Sequence, residues 1–484
     1  MHTYLFNIIY SILTEGVTLM ALLKASARTH PQRCALVTEG VRLSYAEMYG
    51  KAERLAMFLF LEYNILKGKK VAMLCRNHEW STILLFALSR LGVDVMLLNT
   101  DVSIRQINDI LSVGTTDFLF FDEEYSDRVV AKNSTSTTFV TVEHLEERIK
   151  ETVFAKCSLP YIFRGGNMTI FTGGSSGNYK AVTRQSRIFQ FLPPLLALLR
   201  NIRIYKYQSV LIVLPYYHGF GFASLVVSAF LGKKICLMRH FHAEEVVKLI
   251  HDEAVEALPV VPAMLSRMML VPDASEQLRS IKCIICGGDI LEKKLVDKVR
   301  ETIGNVLFNL YGTSEAGFFM LASPSALNSC DEVTLGKPIS GVRCRILNLN
   351  AEGIGTLCMK PLLGGIWKNT GDLVWRNAEG NYFYRGRSDN MVVCGGENVY
   401  PENLQRVLNE HTEIADSLVY PVADVSFGKV LHAQVELKQA SAITEEEIRS
   451  WLKNRVSRAE MPHKILIGDI SLLSTGKRKR KSKK

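Results

Sequence analysis

The chain has 484 residues and a mass of 54.4 kDa, with 48% apolar and 22% charged residues. That is too long for one ordinary domain, and the composition excludes a disordered polymer, a collagen-like repeat and a small disulfide scaffold. The net charge of +10 is local: seven Lys or Arg lie among the last eight residues, Lys477–Lys484, so the body is nearly neutral and no specific nucleic-acid partner is expected.

In chain order, Tyr4–Leu23 comes first and is rich in Leu, Ile and Met. It has no basic start and no small-residue cleavage site, which argues against a signal peptide. Glu15 in its middle argues against a spanning helix. The expectation is an amphipathic helix lying on the protein or on a membrane surface. Short apolar runs then alternate with helical patterns: Lys70–Leu74, Val95–Leu98, Phe118–Phe121, Met168–Phe171, Val210–Leu214, Lys234–Met238 and Lys282–Cys286 read as buried strands, Glu79–Leu91 and Ala243–Asp252 as helices. That alternation predicts an α/β fold with largely parallel sheets. Near residue 340 the texture changes to short strands separated by turn residues, at Arg343–Leu347, Gly355–Met359, Asp372–Trp375 and Tyr382–Tyr384. These predict a small antiparallel unit. Mixed α/β returns after Arg387, with a boundary expected near Arg385–Asn390. The ten cysteines have no metal-site spacing; Cys75, Cys236 and the Cys283–Cys286 pair sit in apolar runs and read as buried thiols in a reducing compartment.

Five segments carry chemistry. Thr172-Gly-Gly-Ser-Ser-Gly-Asn-Tyr-Lys180 follows a strand and offers backbone N–H groups, hydroxyls and a lysine to a polyphosphate, without the Walker spacing. Gly287-Gly288-Asp289 ends another strand, where loops form ligand crevices. Asn309–Gly317 supplies an aromatic face (Tyr311), hydroxyls and one carboxylate, Glu315, suited to a hard cation. Thr370-Gly371-Asp372-Leu373 places a carboxylate at a turn, where it can accept both hydroxyls of a ribose. Arg385–Asn390, Gly395–Pro401 and Ser474–Lys477 complete the set.

In this order and spacing the segments resemble the adenylate-forming superfamily of acyl-CoA synthetases, luciferases and peptide-synthetase adenylation domains, from about Ala25 to Lys477. The resemblance implies a large N-terminal domain of αβ-layered sheets plus a small antiparallel β unit (1–386), and a small mobile α+β C-terminal domain (387–484) with a hinge near Asp389 and the basic tail 477–484. It implies nucleotide binding by Thr172, Gly174, Ser175, Ser176, Gly177 and Lys180 of the phosphate loop. Gly287, Gly288 and Asp289 would line the adenine pocket, with Tyr311 stacking and Gly312, Thr313 and Ser314 nearby. Asp372 and Arg387 would take the ribose. Glu315 would hold Mg²⁺ and Lys477 would bridge carboxylate and α-phosphate. Gly395, Gly396, Glu397 and Asn398 would reach the thiol tunnel. The family usually has Ser at Gly173, Pro at Tyr179 and Thr at Ser314. Leu214–Phe222 matches the acyl-pocket motif, placing His218, Gly219, Phe220, Val261 and Gly317 at the acid, with His218 positioning rather than transferring a proton.

The implied activity is ATP- and Mg²⁺-dependent conversion of a carboxylic acid to acyl-AMP and pyrophosphate, then thioester formation with coenzyme A. The Leu214–Phe222 and Val260–Met264 patterns most resemble bacterial fatty-acid–CoA ligases, so a medium- or long-chain fatty acid is expected. An aryl acid, or an acyl carrier protein as acceptor, are the alternatives within the family; a nucleotide-binding homologue without catalysis is the alternative outside it. The expected location is cytoplasmic, with peripheral membrane contact as the variant.

Overall fold

The computed structural model describes residues 2–101, 107–108, 110–111, 116–129, 137–152, 158–173, 179–184, 195–313, 317–362, 365–388, 390, 392–394, 397–424, 428–439, 441–453 and 455–470. The chain divides into two compact units, residues 1–260 with 271–284 and residues 261–270 with 285–484, and the division falls within the strand Cys283–Gly287.

Unit one begins with α1 (His2–Glu15) and α2 (Leu19–Thr29). The predicted single helix breaks because Gly16 adopts φ +70° and any Cβ there would collide with the Ile162 carbonyl. Thr18 then caps α2 by accepting from the Ala21 N–H. Strands β1 (Cys34–Thr38) and β2 (Val41–Ser44) follow, then α3 (Tyr45–Tyr63), which starts on a Ser44–Glu47 capping box and ends on left-handed Asn64.

Strands β3 (Lys70–Leu74), β4 (Asp94–Leu97), β5 (Phe118–Phe121), β6 (Thr138–Thr141), β7 (Met168–Gly173) and β8 (Tyr179–Arg184) form one sheet in the order β6-β5-β3-β4-β7-β8. All its pairings are parallel except the β7–β8 hairpin. The helix between β3 and β4, α4 (Glu79–Leu91), is buried almost all round. This explains why β3 reads as a continuous apolar run rather than an alternation. Strands β9 (Ser209–Ile212), β10 (Lys234–Leu237) and β11 (Ala257–Val260) pair in the order β11-β9-β10-β1-β2, parallel except for β1–β2.

In unit two, Leu307–Thr313, Gly317–Ala322 and Lys337–Pro338 pair antiparallel. Val342–Leu347, Gly355–Pro361, Lys368–Arg376 and Tyr382–Arg387 form the predicted antiparallel meander around Leu357, Met359, Val374 and Tyr382. Residues from Val392 to Ile465 bury a core of their own, in which helix Pro401–Asn409 and the paired strands Ile414–Asp424, Gly428–Leu437 and Lys464–Ile467 contribute Leu404, Leu408, Ile414, Leu431, Val435 and Ile465. The α/β class and the antiparallel unit are thus as expected. Among the described residues all cysteines are free thiols, and burial pushes the Cys283 thiol up to about 12. No helix among them is long and apolar enough to cross a membrane.

One buried charge organises the end of β5. Asp122 is fully buried, accepts the Arg76 N–H at 2.8 Å, meets His78 Nε2 at 2.8 Å and pairs with Arg239 at 3.3 Å. Burial alone would raise its pKa; the His78 and Arg76 bonds and the Arg239 charge outweigh it and hold the carboxyl below its ordinary 3.8. A depressed folded pKa stabilises the protein fully above the unfolded value and loses that effect as pH falls through the folded value. The stability gap between wild type and Asp122→Asn, followed by urea denaturation, is therefore expected to be constant from pH 7 to 5 and to narrow below 3.8.

Candidate active site

The unit-two site is built on two hairpins. Tyr311 lies at the end of Leu307–Thr313, opposite Met320, where a register shift precedes Gly312. A side chain at Gly312 would strike Phe318 Cα at 2.8 Å, and Gly317, with φ +75°, begins the return strand. Gly312 and Gly317 are therefore demanded by the tight return. Ser314 and Glu315, between them, lie outside the described residues. The Tyr311 ring packs edge-on against Phe319, with centroids 5.1 Å apart, and its hydroxyl donates to Asp372 Oδ2. Burial and the Asp372 charge raise the Tyr311 pKa well above its ordinary value, so the hydroxyl stays a donor.

Asp372 is only 5% exposed. It sits directly across the sheet from Arg387, whose guanidinium lies 3.3 Å from Asp372 Oδ1. Thr370 Oγ1 accepts the Asp372 N–H at 3.1 Å and donates to the Leu357 carbonyl at 2.9 Å. Gly371 has φ +75°, and a Cβ there would lie 2.8 Å from Arg387 Nη2. Ser388 fixes the same turn, its N–H and hydroxyl both bonding the Gly371 carbonyl, at 2.7 and 2.9 Å. Gly287 abuts the Leu310 carbonyl, and Gly288, at φ +88°, faces Val261. Asp289 accepts the Ile290 N–H at 2.8 Å. Tyr384, which the motif reading missed, has its pKa raised by burial and then by Asp372 and Glu402, with a smaller contribution from Asp289. The structure thus brings Tyr311, Asp372 and Arg387 into contact, and Gly287, Gly288 and Val261 line their own neighbouring turns. Thr313 closes the Tyr311 strand opposite Gly317.

In unit one, Thr172 and Lys180 face each other across the β7–β8 hairpin. The loop between them, with Gly174, Ser175, Ser176 and Gly177, lies outside the described residues, as do Asp389, Gly395, Gly396 and Lys477. Glu397 and Asn398 are described as strand only. His218 precedes α5 (Gly219–Phe230); its N–H donates to the Pro215 carbonyl at 3.0 Å and its carbonyl accepts the Phe222 N–H at 3.0 Å. Gly219 and Phe220 open that helix, and Gly221 is pressed against the Leu214 and Pro215 carbonyls. The turn is held from afar by Asn77, which donates to the Leu214 carbonyl at 2.8 Å and accepts the Tyr216 N–H at 3.1 Å. Tyr216 and Tyr217 hydroxyls bond Thr82 and Thr100 at 3.0 and 2.9 Å. No sequence signal distinguishes Asn77; its partners lie more than 130 residues away.

The metal candidate from sequence, Glu315, lies outside the described residues. Among the described residues His78, Asp122 and Glu143 bring ligand atoms within 4.8 Å of one another. Arg239 already bonds Asp122 and Glu143, at 3.3 and 2.8 Å, and supplies the positive charge there.

An aromatic ring, a held carboxylate and close-approach glycines thus lie together at strand ends of an α/β scaffold, the place where such folds bind ligands. Residues 23–361 match the AMP-binding enzyme family, and the chain belongs to it. It is similar to a 2-succinylbenzoate–CoA ligase of Bacillus subtilis, 25% identical over 469 residues, covering 92% of this chain and 93% of that one. It is also similar to a long-chain-fatty-acid–CoA ligase of Mycobacterium tuberculosis, 25% identical over 480 residues with 93% and 94% covered. Among solved structures, o-succinylbenzoate CoA synthetase from Bacillus subtilis with its acyl-adenylate intermediate superimposes with a TM-score of 0.78 at 23% identity, covering 94% and 96%. The superfamily resemblance drawn from the motifs holds.

Asn77→Ala leaves the Leu214 carbonyl and Tyr216 N–H buried without their partner. The expected cost is about 1–3 kcal/mol in urea unfolding, with the far-UV spectrum unchanged.

Proposed function

We propose that the protein activates an apolar carboxylic acid with ATP and passes the acyl group to coenzyme A. The observation that carries this reading is the Tyr311–Asp372–Arg387 cluster in a chain of the AMP-binding enzyme family. In the first step the substrate carboxylate oxygen attacks the α-phosphorus of ATP. A new P–O bond forms, the Pα–O–Pβ bond breaks, and pyrophosphate leaves. In the second the thiol gives up its proton to solvent, its sulfur forms a C–S bond to the acyl carbon, the acyl–phosphate C–O bond breaks, and AMP leaves.

The residues divide this work. Tyr311 offers its ring to adenine while its hydroxyl orients Asp372. Asp372 accepts the ribose hydroxyls, and Arg387 offsets the resulting concentration of negative charge. The Thr172–Lys180 loop surrounds the phosphates with N–H groups and Lys180. Magnesium at Glu315 would neutralise phosphate charge, and Lys477 would bridge carboxylate and α-phosphate. Rotation at Asp389 would exchange Lys477 for the Gly395–Asn398 loop between steps. The separate core from Val392 to Ile465 supports a domain boundary there.

The acid is assigned by composition. Leu214–Phe222 and Val260–Met264 contain no Lys, Arg or Asp to recognise a charged substituent. A medium- or long-chain fatty acid is the first reading, supported by the relative that is a long-chain-fatty-acid–CoA ligase. An aryl acid is the second, favoured by the relatives that are 2-succinylbenzoate–CoA ligases. The acceptor is coenzyme A, with a carrier protein as the alternative. The retained catalytic set argues against a binder without chemistry.

Mass spectrometry of reactions with ATP, Mg²⁺ and a panel of fatty and aryl acids, with and without coenzyme A, decides these points. An acyl-CoA with stoichiometric AMP is expected; acyl-AMP that never becomes a CoA thioester would redirect the acceptor. Lys477→Ala is expected to abolish adenylation while sparing ATP binding, and full adenylation by it would overturn its role. Asp372→Ala is expected to weaken AMP binding by titration calorimetry by about 10- to 100-fold, as loss of hydrogen bonds to a charged group predicts.

A further inference from the structure

Helix α1 is turned inside out. Its buried residues are polar: Asn7, Ser11 and Glu15, at intervals of four, face the protein. Asn7 Nδ2 donates to Thr29 Oγ1 at 2.9 Å, and Glu15 pairs with Lys24 and, at 2.6 Å, with Arg90. Its exposed residues, Thr3 apart, are apolar: Leu5, Phe6, Ile9, Tyr10 and Leu13 fall on one face, with Phe6 63% and Leu13 68% exposed. The ordinary arrangement for a surface helix is the reverse.

Further exposed apolar residues lie on the segment that pairs with the chain just after the helix. Val17 is bonded to the Phe163 carbonyl at 3.0 Å, and Tyr161 and Phe163 are both exposed, Phe163 at 76%. A row of exposed apolar side chains of this kind marks an interaction site. Two exposed arginines lie beside it. The exposed Arg28 guanidinium lies 4.1 Å from the Tyr10 ring centroid, and the exposed Arg164 is bridged to Val17. The one acid of α1, Glu15, is buried and ion-paired.

We propose that α1 is a membrane-docking element that lays Leu5, Phe6, Ile9, Tyr10 and Leu13 into the interface of an anionic lipid bilayer, with Arg28 and Arg164 at the headgroup phosphates. Aliphatic and aromatic side chains in one row, flanked by arginines, are the composition of an interfacial helix. A second copy of the chain fits less well. Arg28 stands beside Tyr10, past the middle of the helix, so pairing two α1 helices about a two-fold axis would bring like charges into the seam with no exposed carboxylate of α1 to meet them. Lipid phosphates supply the missing charge. Residues 2–15 precede the family match at 23–361, so the device lies outside the matched region, and its test does not depend on the catalytic reading.

The test is co-sedimentation of the full chain with vesicles of phosphatidylcholine alone or with 30 mol% phosphatidylglycerol (about the charge density of an anionic membrane). Wild type is expected to sediment with the anionic vesicles. The double variant Phe6→Glu/Leu13→Glu, which retains the basic tail, is expected to bind at least tenfold more weakly, and Arg28→Glu to bind the anionic vesicles more weakly than wild type. Phe6→Ser/Leu13→Ser serves if the acidic pair lowers the melting temperature. Equal binding by wild type and the double variants, or no binding by wild type, overturns the proposal. So does a wild-type dimer in analytical ultracentrifugation without vesicles that the same substitutions dissolve, since a second copy would then cover the stripe.

Discussion

A carboxylate taken almost wholly out of water is destabilising unless charge and hydrogen bonds meet it, and unit two is arranged around meeting that demand at Asp372. The antiparallel register sets Arg387 opposite it. The Tyr311 hydroxyl arrives from a different sheet, and Thr370 takes the backbone N–H. Each partner imposes a further constraint. Arg387 needs the space over residue 371, so that position has no side chain, and its left-handed conformation then needs Ser388 to hold the carbonyl. Tyr311 must reach out of a strand that turns back within a few residues, so Gly312 and Gly317 carry none either. The motif glycines and the motif charges answer one problem.

This explains what the sequence made legible. Motif residues whose chemistry is intrinsic, such as the ring of Tyr311 or the carboxylate of Asp372, are recognisable one at a time. The alternation of apolar runs was sufficient for the class of fold because a strand buried on both faces has few alternatives to Val, Ile, Leu and Phe. Partnerships were not legible. Tyr311 and Asp372 are 61 positions apart, and Asn77 meets Leu214 across 137. Nothing local in Arg76-Asn77-His78 says that the amide will hold another turn.

The N-terminal helix shows a different limit. Period alone reveals that Leu5, Phe6, Ile9 and Leu13 share a face, but the rule that apolar faces point inward is a tendency of composition, not of geometry. Here Asn7 and Glu15 have partners waiting on α2, α3 and α4. A buried acid with two cations and a tyrosine is a stronger anchor than its hydropathy suggests. Once the polar face is committed, the apolar face has only the outside.

Polar anchoring recurs in unit two. Lys294 donates to the His411 and Ile414 carbonyls at 3.0 and 2.8 Å, Asn409 bonds Glu292, and Arg267 donates to the Ile470 carbonyl at 3.0 Å. Burial lowers the Lys294 pKa, so this cation is held by carbonyls while partly stripped of water. The apolar residues from Val392 to Ile465, by contrast, turn inward on their own core. Contacts of these two kinds differ in how they respond to separation. Each hydrogen bond is worth about 0.5–1.5 kcal/mol net, because water replaces the lost partner, whereas exposing a buried Leu or Ile costs about 1.5–3 kcal/mol with nothing to replace it. Separating such a segment from these polar partners would therefore cost less than opening its own core. The two-step reaction proposed above, with Lys477 in one step and the Gly395–Asn398 loop in the other, would ask this of the C-terminal segment.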